Sequence, residues 1–176
     1  DVENDLFRVH NPLDITDVTP TPVLIAALGP VMLRLAGERT DGTILWLADE
    51  RAIATHVAPR ITQAAEAAGR PAPRIVAGIP MCLCRDDEVD AAVERTNRIL
   101  AEAEVSPNYQ RLLDHGDARN IGDILSAGSE ATIEKRLRAF ADAGVTDLSV
   151  RVVPLGNGRD ELLASMRRTR DLLGSL

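Results

Sequence analysis

The sequence predicts an α/β fold whose strands run parallel and are joined by crossover helices. Two observations carry this reading. Short, continuous apolar runs alternate four times with longer stretches of helical periodicity, the pattern of strands covered on both faces and separated by helices. Glycine or proline also punctuates most of the junctions, where strand must turn into helix or helix must stop.

The elements follow in order. Leu6-Phe7-Arg8-Val9 reads as a short extra strand, half of a hairpin. Val23 to Leu28 is the first continuous apolar run. Gly29-Pro30 follows it, with Pro30 presetting φ at the first helical position, and the helix carries Met32, Leu33, Leu35 and Ala36 up to Asp41-Gly42. Thr43 to Leu47 is the second strand. Between Asp49 and Ala68 the apolar residues Ile53, Val57, Ile61 and Ala65 recur every fourth position, a helical stripe that Gly69-Arg-Pro71-Ala-Pro73 stops. Arg74 to Leu83 is the third strand. The acids Asp86-Asp87-Glu88 then open a long helix with Val89, Val93 and Leu100 that reaches about Glu104, placed where the helix dipole favours negative charge. Ser106 to Asp123 reads as irregular or short-helical. Ser129 is positioned to cap a helix through Ile133, Leu137 and Phe140 that ends at Gly144. Asp147 to Val153 is the fourth strand. Gly156-Asn-Gly158 turns into a last helix with Leu162, Leu163, Met166 and Leu173.

Composition limits the function classes. The 176 residues are expected to form a single domain, 1–176, with 45% hydrophobic and 27% charged residues, a globular balance. The net charge of −7 argues against a nucleic-acid surface. No apolar stretch approaches the roughly 20 residues of a membrane helix, and the first ten residues lack the apolar region of a signal peptide. Aromatic residues make up 2%, so the core must be built from Ala, Leu, Ile and Val. Cys82 and Cys84 lie on the third strand and are expected on opposite faces, poorly placed to bridge each other. A reducing cytoplasm is the expected compartment. The chain opens on Asp1 in a polar stretch that reads like the middle of a longer protein, and the repeat pattern favours a missing beginning.

Four βα units are half of a (β/α)8 TIM barrel, whose full form needs about 250 residues. They also fit an open flavodoxin-like sheet, and the pattern alone leaves both possible. Particular residues go further. Ala26-Ala27-Leu28-Gly29-Pro30, Met32-Leu33-Arg34-Leu35-Ala36-Gly37-Glu38 and Asp41-Gly42 together resemble the bacterial-luciferase-like family of (β/α)8 oxidoreductases, above all the branch that uses the deazaflavin coenzyme F420. The run from Ile75 to Asp86 is similar to the family's seventh strand. Ala127-Gly128-Ser129 and the run Ala141 to Asp147 are similar to its last helix and the entry to its eighth strand. The resemblance spans Leu6 to Leu173 and implies the C-terminal half of such a barrel, strands five to eight.

The resemblance also assigns roles. Backbone N–H groups around Ala26, Ala27, Leu28, Gly29 and Pro30 match the family's cofactor-phosphate turn. The physical argument agrees: Gly29 adds no β-carbon, and a helix N-terminus favours an anion. Trp46, near a strand's C-terminal end, is expected either to line the substrate pocket or to be buried between sheet and helices. In relatives that act on a sugar phosphate, a basic residue in the following loop helps hold that phosphate; Asp49 stands there, which argues against such a substrate. Arg159, beyond Gly156-Asn-Gly158, is a lesser phosphate candidate. Met81, Cys82 and Cys84 read as strand core, His56 reads as solvent-facing on a surface helix, and His10 and His115 lie apart from it. The run Arg167-Arg168-Thr-Arg170 reads as a solvated helix face. No metal site is expected, and the catalytic residues are not identified, since in the family they come largely from the first four strands.

Two functional classes follow. One is an oxidoreductase that passes hydride between F420 and a small organic substrate, with an FMN-dependent luciferase-like monooxygenase as its variant. The other is a non-catalytic half-barrel. A half-barrel leaves the strands at Val23–Leu28 and Leu148–Val153 each with an open edge. Pairing with the missing N-terminal half-barrel or with a second copy is therefore expected, and cofactor binding by this chain alone is expected to be weak or absent.

Overall fold

The structure, a computed structural model, describes residues 2–11, 19–100 and 106–175. A two-residue hairpin, β1 (Val2–Glu3) and β2 (Arg8–Val9), comes first. The main sheet contains β3 (Leu24–Ala26), β4 (Gly42–Trp46), β5 (Arg74–Leu83), β6 (Ser126–Gly128) and β7 (Asp147–Val152). Every pairing in it is parallel. β5 is its hub: residues 74–78 pair with β4, residues 76–81 with β7 and residues 81–83 with β6.

Four of these strands follow the apolar runs. The fifth, β6, does not: Ser126-Ala-Gly128 has neither alternation nor β-branched residues to announce it. It becomes a strand because the long β5 offers free ladder positions beyond the end of β4.

The crossover helices are α1 (Pro30–Arg39), α2 (Glu50–Ala52), α3 (Ala58–Ala67), α4 (Val89–Leu100), α5 (Pro107–Leu113), α6 (Glu130–Asp142) and α7 (Arg159–Ser175). None of the described helices is long and apolar enough to cross a membrane. The predicted stripe holds, with Ile53, Val57 and Ile61 at 0% exposure and Ala65 at 1%. Ile53, Val57 and Ile61 join Leu33, Ala36, Leu45, Ile79, Met81, Ile133 and Phe140 in the main core. Ser129 does occupy the position before α6, but its side chain does not cap the helix. Its hydroxyl sits 3.0 Å from that of Thr132.

Two expectations are overturned. Cys82 and Cys84 share one side of β5, as residues two apart on a strand must. Both belong to a minor core cluster with Val93, Leu125 and Val153. Interaction with Cys84, together with burial, pushes the Cys82 thiol up, while interaction with Cys82 lowers Cys84 against the opposing effect of burial. The second correction is His56, which is buried at 4% exposure rather than solvent-facing. Its cause is a π-turn, Ile53–Val57, between α2 and α3. Pro59 has no N–H to donate to Thr55 O, and its ring crowds that carbonyl. The backbone widens by one residue, Ala58 N–H bonding Ile53 O. Arg60 then donates from its guanidinium to His56 O at 2.8 Å. The wider turn rotates His56 inward.

The N-terminal ends of the strands are sealed by the chain's own polar groups. Asp41 N–H donates to Val23 O and Val23 N–H to Asp41 Oδ2, both at 2.8 Å. Arg74 forms a two-pronged ion pair with Asp147 at 2.6 and 3.1 Å, which lowers the Asp147 carboxyl below its ordinary range. The C-terminal ends are left open, and the cavity lies there.

Candidate functional site

A cavity of about 780 Å³ opens over the C-terminal ends of β3 and β4, bounded by α1 on one side and α5 on the other. Its walls are mostly apolar: Ala26, Ile44, Trp46, Met32, Tyr109 and Leu112. Polar groups gather at the edges, from Asn108, Arg111, His56, His115 and Ser149. This combination of apolar walls and few polar groups is the ordinary make-up of a small-molecule site.

The cofactor residues expected from the sequence fall as follows. Ala26, Leu28, Gly29 and Pro30 line the cavity. Ala27 does not: it faces the core at 1% exposure. Gly29 is the N-cap of α1, has φ −93° and ψ 161°, and supplies no capping side chain. Its carbonyl accepts from Leu33 N–H at 2.9 Å. Pro30 has no N–H, so the groups of the first turn without a helical partner are those of Val31 and Met32. Among the described residues, apart from Gly29 and its chain neighbours, no atom lies within 4 Å of where a β-carbon on Gly29 would sit. The fold itself therefore does not demand glycine there; the space belongs to the cavity.

Trp46 lines the same cavity, half-buried at the end of β4. Its ring lies flat against Gly78, where an added β-carbon would come within 2.6 Å of it. The backbone next makes a left-handed turn, with Leu47 at φ 58°. That costs about 1 kcal/mol or more for a residue with a side chain. The turn delivers Asp49 to the N-cap of α2, where Oδ1 accepts from Ala52 N–H at 2.8 Å. Oδ2 accepts from Asp117 N–H at 2.6 Å and Ala118 N–H at 2.8 Å. Asp49 is thus a buried clasp that ties α2 to the loop after α5. That loop comes so close that a β-carbon on Gly116 would sit 2.3 Å from the carboxylate.

Arg159 starts α7 and lines neither this cavity nor the polar cleft around Cys84, Arg95, Arg98 and Arg168. In its turn the chain's own Glu161 already accepts from Asn157 N–H at 2.8 Å. Among the described residues, no group of three or more His, Cys, Asp or Glu side chains has the geometry to hold a metal ion.

Sequence reading did not find His56, His115, Asn108, Tyr109 or Arg111. The last four arrive on α5 and its following turn, inside the stretch read as irregular or short-helical. His56 is held by its Nε2, 2.8 Å from Leu28 O, and its ring stacks on that of His115 with centroids 3.9 Å apart. Burial is the main cause holding its imidazole below the ordinary 6.5; the bond to Leu28 opposes this, while His115 and Arg60 add to it. One signal was available: Pro59, inside the helical stripe.

Comparison with known proteins gives a consistent picture. The profile of the luciferase-like monooxygenases matches residues 2–147. A 5,10-methylenetetrahydromethanopterin reductase of Methanopyrus kandleri is 29% identical over 138 residues, 73% of this chain and 39% of that protein. Among solved structures, monooxygenase RslO1 from Streptomyces bottropensis superposes with a TM-score of 0.60 at 21% identity, over 86% of this chain and 47% of its own. An F420-dependent secondary alcohol dehydrogenase, in complex with an F420-acetone adduct, gives a TM-score of 0.56 at 16% identity, over 76% and 44%. The chain therefore spans about two fifths of the curated relative and under half of these two structures.

Proposed function

Because this chain belongs to the luciferase-like monooxygenase family, we propose that its cavity receives the phosphate-bearing part of coenzyme F420 in an oxidoreductase that transfers hydride to or from a small organic substrate. The observation that carries the proposal is the uncapped N-terminus of α1, opening onto an apolar cavity, with vacant space above Gly29. In this reading the N–H groups of Val31 and Met32 hold the phosphoryl oxygens, and Trp46 and Ile44 line the apolar remainder. When bound, the deazaflavin supplies the hydride chemistry. The chain's own contribution is to bind the anion, orient the ring and keep the apolar wall dry.

The likeness to a methanopterin reductase and to an F420-dependent dehydrogenase supports F420. FMN is the second reading, favoured by the likeness to a monooxygenase. The parallel sheet is read as strands five to eight of a TIM barrel. Among the described residues β3 pairs only with β4 and β7 only with β5, and Ile44 and Leu148 are 41% and 38% exposed on the sheet. A second half-barrel, from the same gene or another copy, would cover these. Sedimentation tests that part: a monodisperse monomer of this chain counts against it.

The functional test is titration of F420 and FMN against the intact gene product, followed by cofactor fluorescence. Tighter binding of F420 is the expected result. Binding of neither removes the enzyme reading and leaves a non-catalytic half-barrel.

A further inference from the structure

His56 lies where α1, α3 and α5 converge on the cavity, and the reading above leaves it without a task. Its Nε2 sits 2.8 Å from Leu28 O. A carbonyl only accepts, so Nε2 carries the hydrogen. In the neutral ring Nδ1 is then a bare acceptor. It is buried and, among the described residues, has no hydrogen-bond partner, on a residue that is 4% exposed. The stacked His115 and the turn at Leu28 to Met32 line the same cavity.

The surrounding charges set what a proton would do there. Protonated Nδ1 becomes a donor in need of an acceptor. On its own helix His56 faces Arg60, a cation. From α5 the cavity receives Arg111, Tyr109 and Asn108. The neighbouring carboxylates are engaged elsewhere: Asp49 by three N–H groups, Asp114 by Gln110 and Asp117 by Arg51. α1 and the strands line the cavity with no ionisable side chain. An imidazolium at this place thus meets cations and an open cavity. A ligand oxyanion would bring the missing negative charge.

We propose that the His56–His115 pair makes the α1 end of the cavity a proton-coupled anion site: the pair is neutral without ligand and takes up one proton from solvent when an oxyanion seats against the N–H groups of Val31 and Met32. This rests on the reading that the α1 end takes the ligand's anionic group. The coupling is reciprocal, so protonation tightens the anion and the anion raises the affinity for the proton. Because the rings are stacked, the proton belongs to the pair rather than to one ring. Burial favours the neutral form of the His56 imidazole in the absence of ligand. The same arrangement gives the π-turn a purpose, since it brings His56 to the cavity.

Sulfate is a suitable probe, because it does not itself titrate between pH 5 and 8. The chain has three histidines, so their ring C–H signals can be followed by NMR across that range, with and without sulfate. Sulfate is expected to raise the apparent pKa of the His56–His115 pair and leave His10 unmoved. Its Kd is expected to weaken several-fold between pH 6 and 7.5, approaching tenfold per unit above the pair's pKa. His56→Gln keeps an amide to donate to Leu28 O, and His115→Phe keeps the stack. Each is expected to flatten the pH dependence, and either one suffices if the other fails to fold. A pair whose titration ignores saturating sulfate, an absence of sulfate binding, or an unchanged pH slope in the folded variants overturns the proposal. The functional reading fails separately: loss of F420 and FMN binding with the sulfate coupling intact leaves an anion site without that cofactor. Cofactor binding without a shift of the pair leaves the cofactor site and removes the coupling.

Discussion

Two successive turns of this sheet solve the same problem in opposite ways. Both lead from the C-terminal end of a parallel strand into a helix, and both leave N–H groups of a first turn to be satisfied. After β4 the chain spends a side chain on it: Asp49 accepts from Ala52 and then from Asp117 and Ala118. After β3 the cap is Gly29, which has no side chain to offer, and Pro30 follows. One helix end is closed by the protein's own carboxylate. The other faces a cavity. The contrast teaches that a helix N-terminus becomes a candidate anion site through what is withheld from it, since the backbone physics of the two turns is the same.

Predictions that would break or sharpen this contrast run from large to small. Asp49→Ala should be the most damaging change, at about 3 kcal/mol, because it strands two buried donors and a part-buried third and removes a cap; urea denaturation measures it. A loss under 1 kcal/mol would show that the clasp is ornamental. Next comes Gly29→Asp, which gives the first turn what the second already has. It should stabilise the chain by about 0.3 kcal/mol while weakening oxyanion or cofactor binding at least tenfold; retained binding would move the site away from α1.

The pH dependence of stability comes third. His56 titrates below 6.5 in the folded chain, so between that depressed value and 6.5 the unfolded chain binds more protons. Stability is thus complete above pH 6.5 and lost as pH falls through the folded pKa. Asp147, lowered by Arg74, adds a separate loss that begins only near its ordinary 3.8 and continues below it. Thermal unfolding at a series of pH values should show the upper step vanish in His56→Gln and persist in Arg74→Gln. The smallest effect belongs to Gly29→Ala. With open space at the β-carbon and an ordinary φ, its stability should fall by no more than about 1 kcal/mol, the loss of a glycine cap to alanine. A larger loss would mean that the fold, not a ligand, requires glycine.

Legibility in the sequence followed the range of the interactions. The long strands were readable because their apolar runs are local, and β5 appears with the predicted bounds, Arg74–Leu83. Ala26, Leu28, Gly29, Pro30 and Trp46 were readable as neighbours of a strand end, and they do line one cavity. Ala27 belongs to the same turn through its backbone, while its side chain packs in the core rather than lining the cavity. β6 was missed because Ser126-Ala-Gly128 carries a weak signal of its own, and α5, Pro107–Leu113, was left between irregular and short-helical for the same reason.

By itself, then, the sequence determined the alternation of strand and helix, the parallel sheet, the family, and a glycine cap with proline behind it. Each of these is written in a contiguous run of residues. Tertiary structure decided which turn stays open and what surrounds it. Asp49 caps its own turn through Ala52 and is buried by a loop 68 residues further on, whose Asp117 N–H comes within 2.6 Å. His56 enters the cavity wall only because Pro59 widens the helix and α5 brings His115 to lie against the ring. Such contacts between distant segments have no periodicity to read, and they exist only once the sheet has brought the segments together.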